Sequence, residues 1–166
     1  MKRVSTCVEN VQFVDYLSTS QGLLEIIANK EGVSAVTFVQ SPRLSPNANE
    51  IVCQAKAQLS QYFKRTRTEF SLPLAAEGTQ FQKAVWQALL SIKYGETASY
   101  ADIATALNNP KAVRAVGMAN SKNPIAIIVP CHRVIGSNKT LTGYAGGLDK
   151  KQYLLNLEGA QGVLWE

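Results

Sequence analysis

Two prolines, Pro124 and Pro130, bracket the longest apolar run of this 166-residue chain, Ile125 to Val129. A run this short falls far below the roughly 20 residues a helix needs to cross a bilayer. The chain therefore has to bury its apolar residues within itself. With 46% apolar and 17% charged residues it is not a disordered chain. At this length, one compact unit or two small domains buries roughly two-thirds of the unfolded surface without a disulfide or metal staple. Three cysteines, Cys7, Cys53 and Cys131, cannot all pair and match no zinc spacing, which fits a reducing setting. The start, MKRVSTCVENV, has two basic residues but no apolar core of an export signal. A soluble cytoplasmic globular protein is expected.

The net charge of +5 is unevenly spread. Residues 1–78 hold eight Lys/Arg against seven Asp/Glu, and residues 79–166 hold nine against five. Between Thr97 and Leu148 the basic residues are Lys111, Arg114, Lys122, Arg133 and Lys139, and the only acid is Asp102. Basic charge gathered in one segment points to a polyanion such as nucleic acid. An ordinary solvated surface would carry the same residues.

Two β-like runs, Leu23–Ala28 and Val33–Val39, flank the turn-rich Asn29-Lys30-Glu31-Gly32 and read as a hairpin. Ser41 to Asn49 is a loop. Ile51, Ala55, Leu59 and Phe63 recur every four residues, with Val52 and Tyr62 beside them, and predict an amphipathic helix from about Ala48 to Lys64. A linker around Leu72-Pro73-Leu74 and Glu77-Gly78 separates this α/β part from a helical one. The predicted organisation is an α/β N-terminal domain at 1–75, a small antiparallel sheet plus a helix. A mainly α C-terminal domain follows at 76–166.

In the second part, Thr79 is a predicted N-cap, and Phe81, Val85, Ala88, Leu89 and Ile92 line one helix face. Ser99 to Leu107 is a short helix, Asn108-Asn109-Pro110 a turn, and Lys111 to Asn120 a second helix with Pro110 at its first position. Two short helices joined by a tight turn in the most basic segment make a helix-turn-helix candidate. The second helix is peculiar: Ala112, Ala115 and Ala119 cluster on one side, with Arg114, Met118 and Gly117 elsewhere. It offers few side chains for reading major-groove base edges. A nearly bare helix suits shape-based contact with a narrow minor groove. The same alanine stripe would also serve to pack against another helix.

Asn123-Pro124-Ile125-Ala126-Ile127-Ile128-Val129-Pro130-Cys131-His132-Arg133-Val134 is the most specific stretch. It delivers a cysteine followed at once by the only histidine of the chain. A buried cysteine by itself is unremarkable. Beside an imidazole and an arginine, a thiol is expected to ionise more readily than its usual pKa of about 8.5 allows, becoming a thiolate nucleophile. Adjacent side chains diverge, so Cys131 and His132 are expected to cooperate across a tight turn at Pro130 or through a bridging water. The acids downstream that could orient His132 are Asp149, Glu158 and Glu166. Of these, Glu158 ends an amphipathic helix just before Gly159, a natural residue for the position after a helix.

These residues carry a resemblance. TQFQKAVWQALLSIKYGETASY, VRAVGMAN, NPIAIIVPCHRVIG and LTGYAGGLDKKQYLLNLEG, spanning about Gly78 to Trp165, resemble the catalytic domain of the methylated-DNA–protein-cysteine methyltransferases, or O6-alkylguanine-DNA alkyltransferases. The Ala-Asn after Val-Gly-Met resembles the bacterial single-function form. Residues 1–75 match only in layout, that of a ribonuclease-H-like α/β domain.

The resemblance implies DNA repair by direct reversal of damage. The alkyl group on O6 of guanine, or O4 of thymine, passes irreversibly to a protein cysteine after base flipping through the minor groove. By position, Cys131 is the acceptor, activated by His132 and Glu158. Asn123 matches the asparagine bracing the active-site turn. Tyr100 matches the tyrosine that hydrogen-bonds the flipped base, and Arg114 the arginine that fills the gap in the stack. Lys111, Ala115, Gly117, Arg133 and Val134 join Arg114 as expected DNA contacts. Tyr144, Ala145 and Gly146 match the loop that closes over the base, and Lys151 a lysine near that pocket. Alanine at 145 stands where some members have a serine hydroxyl, which removes one polar contact to the base. The resemblance implies no cofactor and no metal. It also implies a monomer acting on alkylated double-stranded DNA, with cooperative assembly on DNA left open.

Two rival functions share parts of this pattern. A Cys-His-Glu thiol hydrolase would use the same triad but leaves the basic helix pair without a task. A damage sensor would bind the lesion without chemistry, yet binding-only relatives replace the acceptor cysteine, and Cys131 is present.

Overall fold

The computed structural model describes residues 11–160. Cys7 and the last six residues lie outside the described part. The chain divides between Ala76 and Glu77 into two compact units.

In the first unit, β1 (Phe13–Thr19), β2 (Gly22–Ala28) and β3 (Val33–Val39) form an antiparallel sheet in that order. The expected hairpin is therefore the second half of a three-stranded meander. β1 escapes a reading by apolar runs because Asp15, Ser18 and Thr19 dilute it. Its register is fixed by pairs such as Leu17 with Leu24 and Asp15 with Ile26. The β2–β3 connection closes on Asn29, whose Oδ1 accepts from the backbone N–H of Glu31 and Gly32 at 2.7 and 3.0 Å. Gly32 is needed there because a Cβ would stand 2.6 Å from the carbonyl oxygen of Pro73.

Helix α1 (Glu50–Phe63) starts at Asn49, whose side chain accepts from Val52 N–H. It buries Val52, Ala55, Leu59 and Tyr62, all on the expected apolar face, while Ile51 and Phe63 at its margin are half-buried. Val52 and Leu59 each contribute about 1.5–3 kcal/mol by full burial. Lys56 on α1 pairs with Asp15 on β1 at 3.2 Å. Glu25, 1% exposed, accepts from the Tyr16 hydroxyl and from Arg43, which ties the loop after β3 back to the sheet.

The second unit begins with α2 (Gln80–Leu89), opened by a reciprocal cap between Thr79 and Gln82. Its Trp86 donates from Nε1 to the carbonyl of Ala119 at 2.8 Å, fastening α2 to a later helix. β4 (Ala98–Ser99) leads into α3 (Tyr100–Ala106), again capped reciprocally by Ser99 and Asp102. α4 (Val113–Ser121) follows. Pro110 is not at its first position: the turn runs on through Lys111, and Ala112 is the residue preceding the helix. Asn108, with φ of +60°, makes the reversal between the two helices. The pair is the helix-turn-helix.

The apolar run between the two prolines builds turns rather than a strand. Ile127, 1% exposed, sits at φ +73°, and Ile128 N–H closes on the carbonyl of Ala126 around it at 2.8 Å. A β-branched residue there stores about 1–3 kcal/mol of backbone strain. Pro130, at φ −82° and ψ 64°, forms an inverse γ-turn closed from Cys131 N–H to the Val129 carbonyl. A single 3₁₀ turn, Cys131–Arg133, then feeds β5 (Val134–Ile135), which pairs parallel with β4. α5 (Leu148–Leu157) ends at Glu158, and Gly159 follows at φ +72°. Among the described residues no helix is long and apolar enough to cross a membrane.

Candidate active site

Two successive tight turns present Cys131 at the head of the 3₁₀ turn, only 6% exposed. Asn123 braces the segment from inside. Its Nδ2 donates to the carbonyls of Val129 and Ile125 at 2.9 and 3.3 Å, and its Oδ1 accepts from Ile125 N–H at 3.0 Å. Asn120, at the end of α4, reaches the Cys131 carbonyl from the other side at 3.5 Å.

Three side chains meet at a buried carboxylate. Nε2 of His132 lies 2.7 Å from Oε2 of Glu158. Arg133 donates from Nε to Oε1 at 2.8 Å and from Nη2 to Oε2 at 3.1 Å, while its Nη1 donates to the Ile92 carbonyl at 2.6 Å. Its guanidinium also lies 5.8 Å from the centre of the Tyr94 ring. Burial alone would raise the Glu158 pKa, but the hydrogen bonds and charge from His132 and Arg133 bring it down to about 2. Burial keeps His132 below the ordinary histidine range, against the pull of Glu158.

Those two directions fix the tautomer. An ionised carboxylate only accepts, so Nε2 of a neutral His132 carries the hydrogen. Nδ1 is then the acceptor, and it is buried with no partner among the described residues.

Arg133 and Val134 require a correction. Both were expected to touch DNA, yet they are 6% and 0% exposed. Each nitrogen of the guanidinium donates inside the protein. It also does not activate the thiol as expected of a cationic neighbour. Burial pushes the Cys131 thiol up from its ordinary pKa, outweighing the Asn123 hydrogen bond and the Lys151 charge that pull it down. The resting nucleophile is a protonated thiol.

Lys151 on α5 is 0% exposed, and its Nζ donates to the carbonyl of Val134 at 2.7 Å and of Thr142 at 3.2 Å. Burial brings its pKa down to about 8, with the Cys131 charge acting the other way. It stitches β5 to the start of the loop over 143–147. Tyr144 in that loop has an enclosed hydroxyl without a partner among the described residues. Burial, then the charges of Cys131 and Glu158, hold its pKa well above the usual value. Ala145 is exposed and Gly146 half-buried, while Gly147 turns the chain at φ +102°.

Tyr100, the first residue of α3, holds its hydroxyl 2.5 Å from Oγ1 of Thr142. Across from its ring is Gly117 of α4, where a Cβ would lie 3.8 Å away. Arg114 and Ala115 are exposed, as are Val113 and Met118, so the outer side of α4 mixes one cation with small or flexible apolar groups, and exposed Lys111 adds a second cation in the turn before it. The alanine stripe is divided: Ala119 is buried and Ala115 faces out. No group of three or more His, Cys, Asp or Glu side chains that could hold a metal ion occurs among the described residues.

Thr142, Asn120 and Ile127 were not singled out in the sequence. Thr142 and Asn120 act through contacts distant in sequence, which no local spacing reveals. The positive φ of Ile127 runs against everything a β-branched residue signals.

Comparison with known proteins converges on one description. Residues 13–76 match the model of the 6-O-methylguanine DNA methyltransferase ribonuclease-like domain. Residues 80–160 match that of the 6-O-methylguanine DNA methyltransferase DNA binding domain. A methylated-DNA–protein-cysteine methyltransferase of Methanosarcina acetivorans is 50% identical over 145 residues, covering 84% of this chain and 93% of the relative. The constitutive one of Bacillus subtilis is 53% identical over 130 residues, covering 78% and 74%. The crystal structure of Mycobacterium tuberculosis OGT in complex with DNA superposes with a TM-score of 0.81 at 43% identity, covering 89% of this chain and 92% of that one.

Proposed function

The chain belongs to the 6-O-methylguanine DNA methyltransferase family, and from that premise we propose that Cys131 is its alkyl acceptor in the direct repair of O6-alkylguanine in DNA. The observation that carries the assignment is a buried thiol directly before a neutral histidine whose far nitrogen is held by an ionised, enclosed carboxylate.

The chemistry follows from the donors present. The Cys131 proton passes to Nδ1 of His132 through a bridging water, and Glu158 stabilises the imidazolium that forms. Sulfur attacks the alkyl carbon from the side opposite O6. The C–S bond forms as the C–O6 bond breaks, and the bonding pair stays on guanine. The guanine anion takes up the proton that His132 received, which returns the imidazole to its neutral form, and the alkyl group remains on Cys131 as a thioether, which nothing in the site can cleave. Ionisation is one part of the gain. An unperturbed thiol of pKa about 8.5 is a few per cent thiolate at pH 7, so ionising it gains about thirtyfold, and because burial raises the pKa of the Cys131 thiol its deprotonation by His132 supplies more than that. Positioning in line supplies more, up to about 7–11 kcal/mol. Tyr100 and Lys151 supply donors and positive charge where the guanine oxyanion develops.

A base stacked in duplex presents its O6 substituent to no buried sulfur, so the base is flipped at a cost of a few kcal/mol. Arg114 fills the space it leaves. Ala115 and Gly117 give α4 the low profile that minor-groove contact needs, and Lys111 contacts phosphate. Tyr144, Ala145 and Gly146 close over the base. O4-alkylthymine offers the same alkyl-oxygen bond and is a second substrate. The protein acts as a cytoplasmic monomer without a cofactor.

Intact-protein mass after incubation with a duplex carrying one O6-methylguanine, followed by peptide mapping, tests the reading. The expected result is the mass of one CH2 added to the Cys131 peptide, saturating at one equivalent. Tight lesion binding with no added mass would make the protein a sensor instead.

A further inference from the structure

Thr142 has no role in the mechanism above, yet its side chain stands between two groups that do. Its Oγ1 is 2.5 Å from the Tyr100 hydroxyl and 3.4 Å from Nζ of Lys151, and its carbonyl takes a separate bond from the same lysine. We propose that Thr142 is a positioning residue that orients the Tyr100 hydroxyl as a hydrogen-bond donor toward the departing base, an inference that rests on the alkyl-transfer reading.

Hydrogen-bond polarity carries this role. An ammonium group has three hydrogens and no lone pair, so every partner of Lys151 is an acceptor. Nζ finds three acceptors: the carbonyls of Val134 and Thr142, and Oγ1 of Thr142. The positive charge favours the oxygen end of the Thr142 hydroxyl facing Lys151. The bond between the two hydroxyls can run in either direction; in the proposed polarity Thr142 donates, Tyr100 accepts, and the single hydrogen of Tyr100 is released to point elsewhere. With the opposite polarity, Tyr100 would give its hydrogen to Thr142 and have none for a ligand. Chains of this kind also polarise one another, which makes the terminal donor stronger. Tyr100 thus gains both direction and strength from a neighbour that never touches the base.

Burial favours the same arrangement from the lysine end. Its pKa near 8 leaves Lys151 protonated at neutral pH, so the chain has its cationic anchor when the base arrives. The carbonyl bonds to Val134 and Thr142 are independent of the threonine side chain, so removing the hydroxyl leaves the lysine and the loop start held.

Thr142→Val and Thr142→Ser separate this role from a merely structural one. Valine keeps the branched shape and loses the hydroxyl; serine restores it. Three quantities are measured on each: affinity for a duplex carrying O6-methylguanine, the single-turnover rate of methyl transfer to Cys131, and carbamidomethylation of Cys131 by iodoacetamide. Iodide departs without a hydrogen-bond donor, so that last rate reports access to the sulfur and nothing of Tyr100. For Thr142→Val the expected result is a transfer rate lower by about tenfold or more, the effect of one hydrogen bond to a developing charge. Its duplex affinity and its iodoacetamide rate stay within about twofold of the parent. Thr142→Ser recovers transfer to within about threefold. Parental transfer by Thr142→Val overturns the inference, as does a parallel fall in affinity or in iodoacetamide rate, or a serine variant as slow as valine. If the unaltered protein transfers no methyl group at all, the alkyl-transfer reading itself falls and this inference with it.

Discussion

Arg133 grips Glu158 through both carboxylate oxygens, at 2.8 and 3.1 Å, in a pocket where neither side chain is more than 8% exposed. The residue after the histidine is thus an internal clamp. It holds the carboxylate ionised and aimed at His132, and it anchors the turn carrying Cys131 to the Ile92 carbonyl at the end of the α2 segment. A forked pair of this kind fixes orientation as well as charge, which a lysine at 133 would not reproduce.

Breaking that pair by Glu158→Gln leaves a buried guanidinium without its counter-charge. The expected loss is about 3 kcal/mol of stability, a fall in Tm of roughly 6–12 °C. Thermal denaturation of the two proteins checks it. The variant also removes the carboxylate that orients His132, so its single-turnover transfer rate falls beyond what unfolding explains.

Acid should act through the same carboxylate. Its pKa is about 2 in the folded protein against an ordinary 4.5, so the unfolded chain binds the extra proton in that interval. Stability is fully present above pH 4.5 and is lost as the pH falls toward 2, by about 3 kcal/mol. His132, lowered from 6.5, adds a loss that begins at higher pH. Urea denaturation at pH 7, 5 and 3 measures the slope, and Glu158→Gln should lack the steep part below pH 4.5. Equal slopes in the two proteins would show that Glu158 does not dominate.

The two described cysteines differ in exposure, since Cys53 lies on the outside of α1 and Cys131 is buried. Burial also keeps Cys131 protonated. Iodoacetamide near neutral pH is expected to modify Cys53 at least about tenfold faster than Cys131, because only thiolate reacts. Peptide mapping over a time course reads both rates from one sample. Faster modification of Cys131 would mean that the resting site already stabilises the thiolate.

Arg114 is exposed on α4, apart from the carboxylate cluster. Arg114→Ala should slow repair of a duplex lesion by about tenfold or more, the contribution of filling the vacated stack. Its reaction with free O6-benzylguanine, which needs no flipping, should change by less than about twofold. Equal losses with both substrates would remove the finger role.

Much of this site could be read from the sequence because its parts are contiguous or capped. Cys131 and His132 are neighbours, and Glu158 is marked by the Gly159 that ends its helix. Thr79 and Ser99 announce their helices through reciprocal caps. Charge was the misleading signal. Arg133 counted toward a basic surface, whereas its charge is spent on a carboxylate 25 residues away. Pro110 misled in the same local fashion, since a proline suited to opening a helix sits equally well in the turn before one. β1 was missed because Asp15, Ser18 and Thr19 break up its apolar residues with no regular alternation to mark a strand.

The enclosure of Cys131 finally bears on how long one molecule stays useful. A chain that reacts once is retired by whichever electrophile reaches its sulfur first. Small alkylating agents and oxidants in solution compete with every lesion for that event. With Cys131 6% exposed and its thiol protonated at rest, each copy ages slowly between encounters. The population is then depleted in proportion to damaged bases and not to elapsed time, so its surviving fraction records the lesions met.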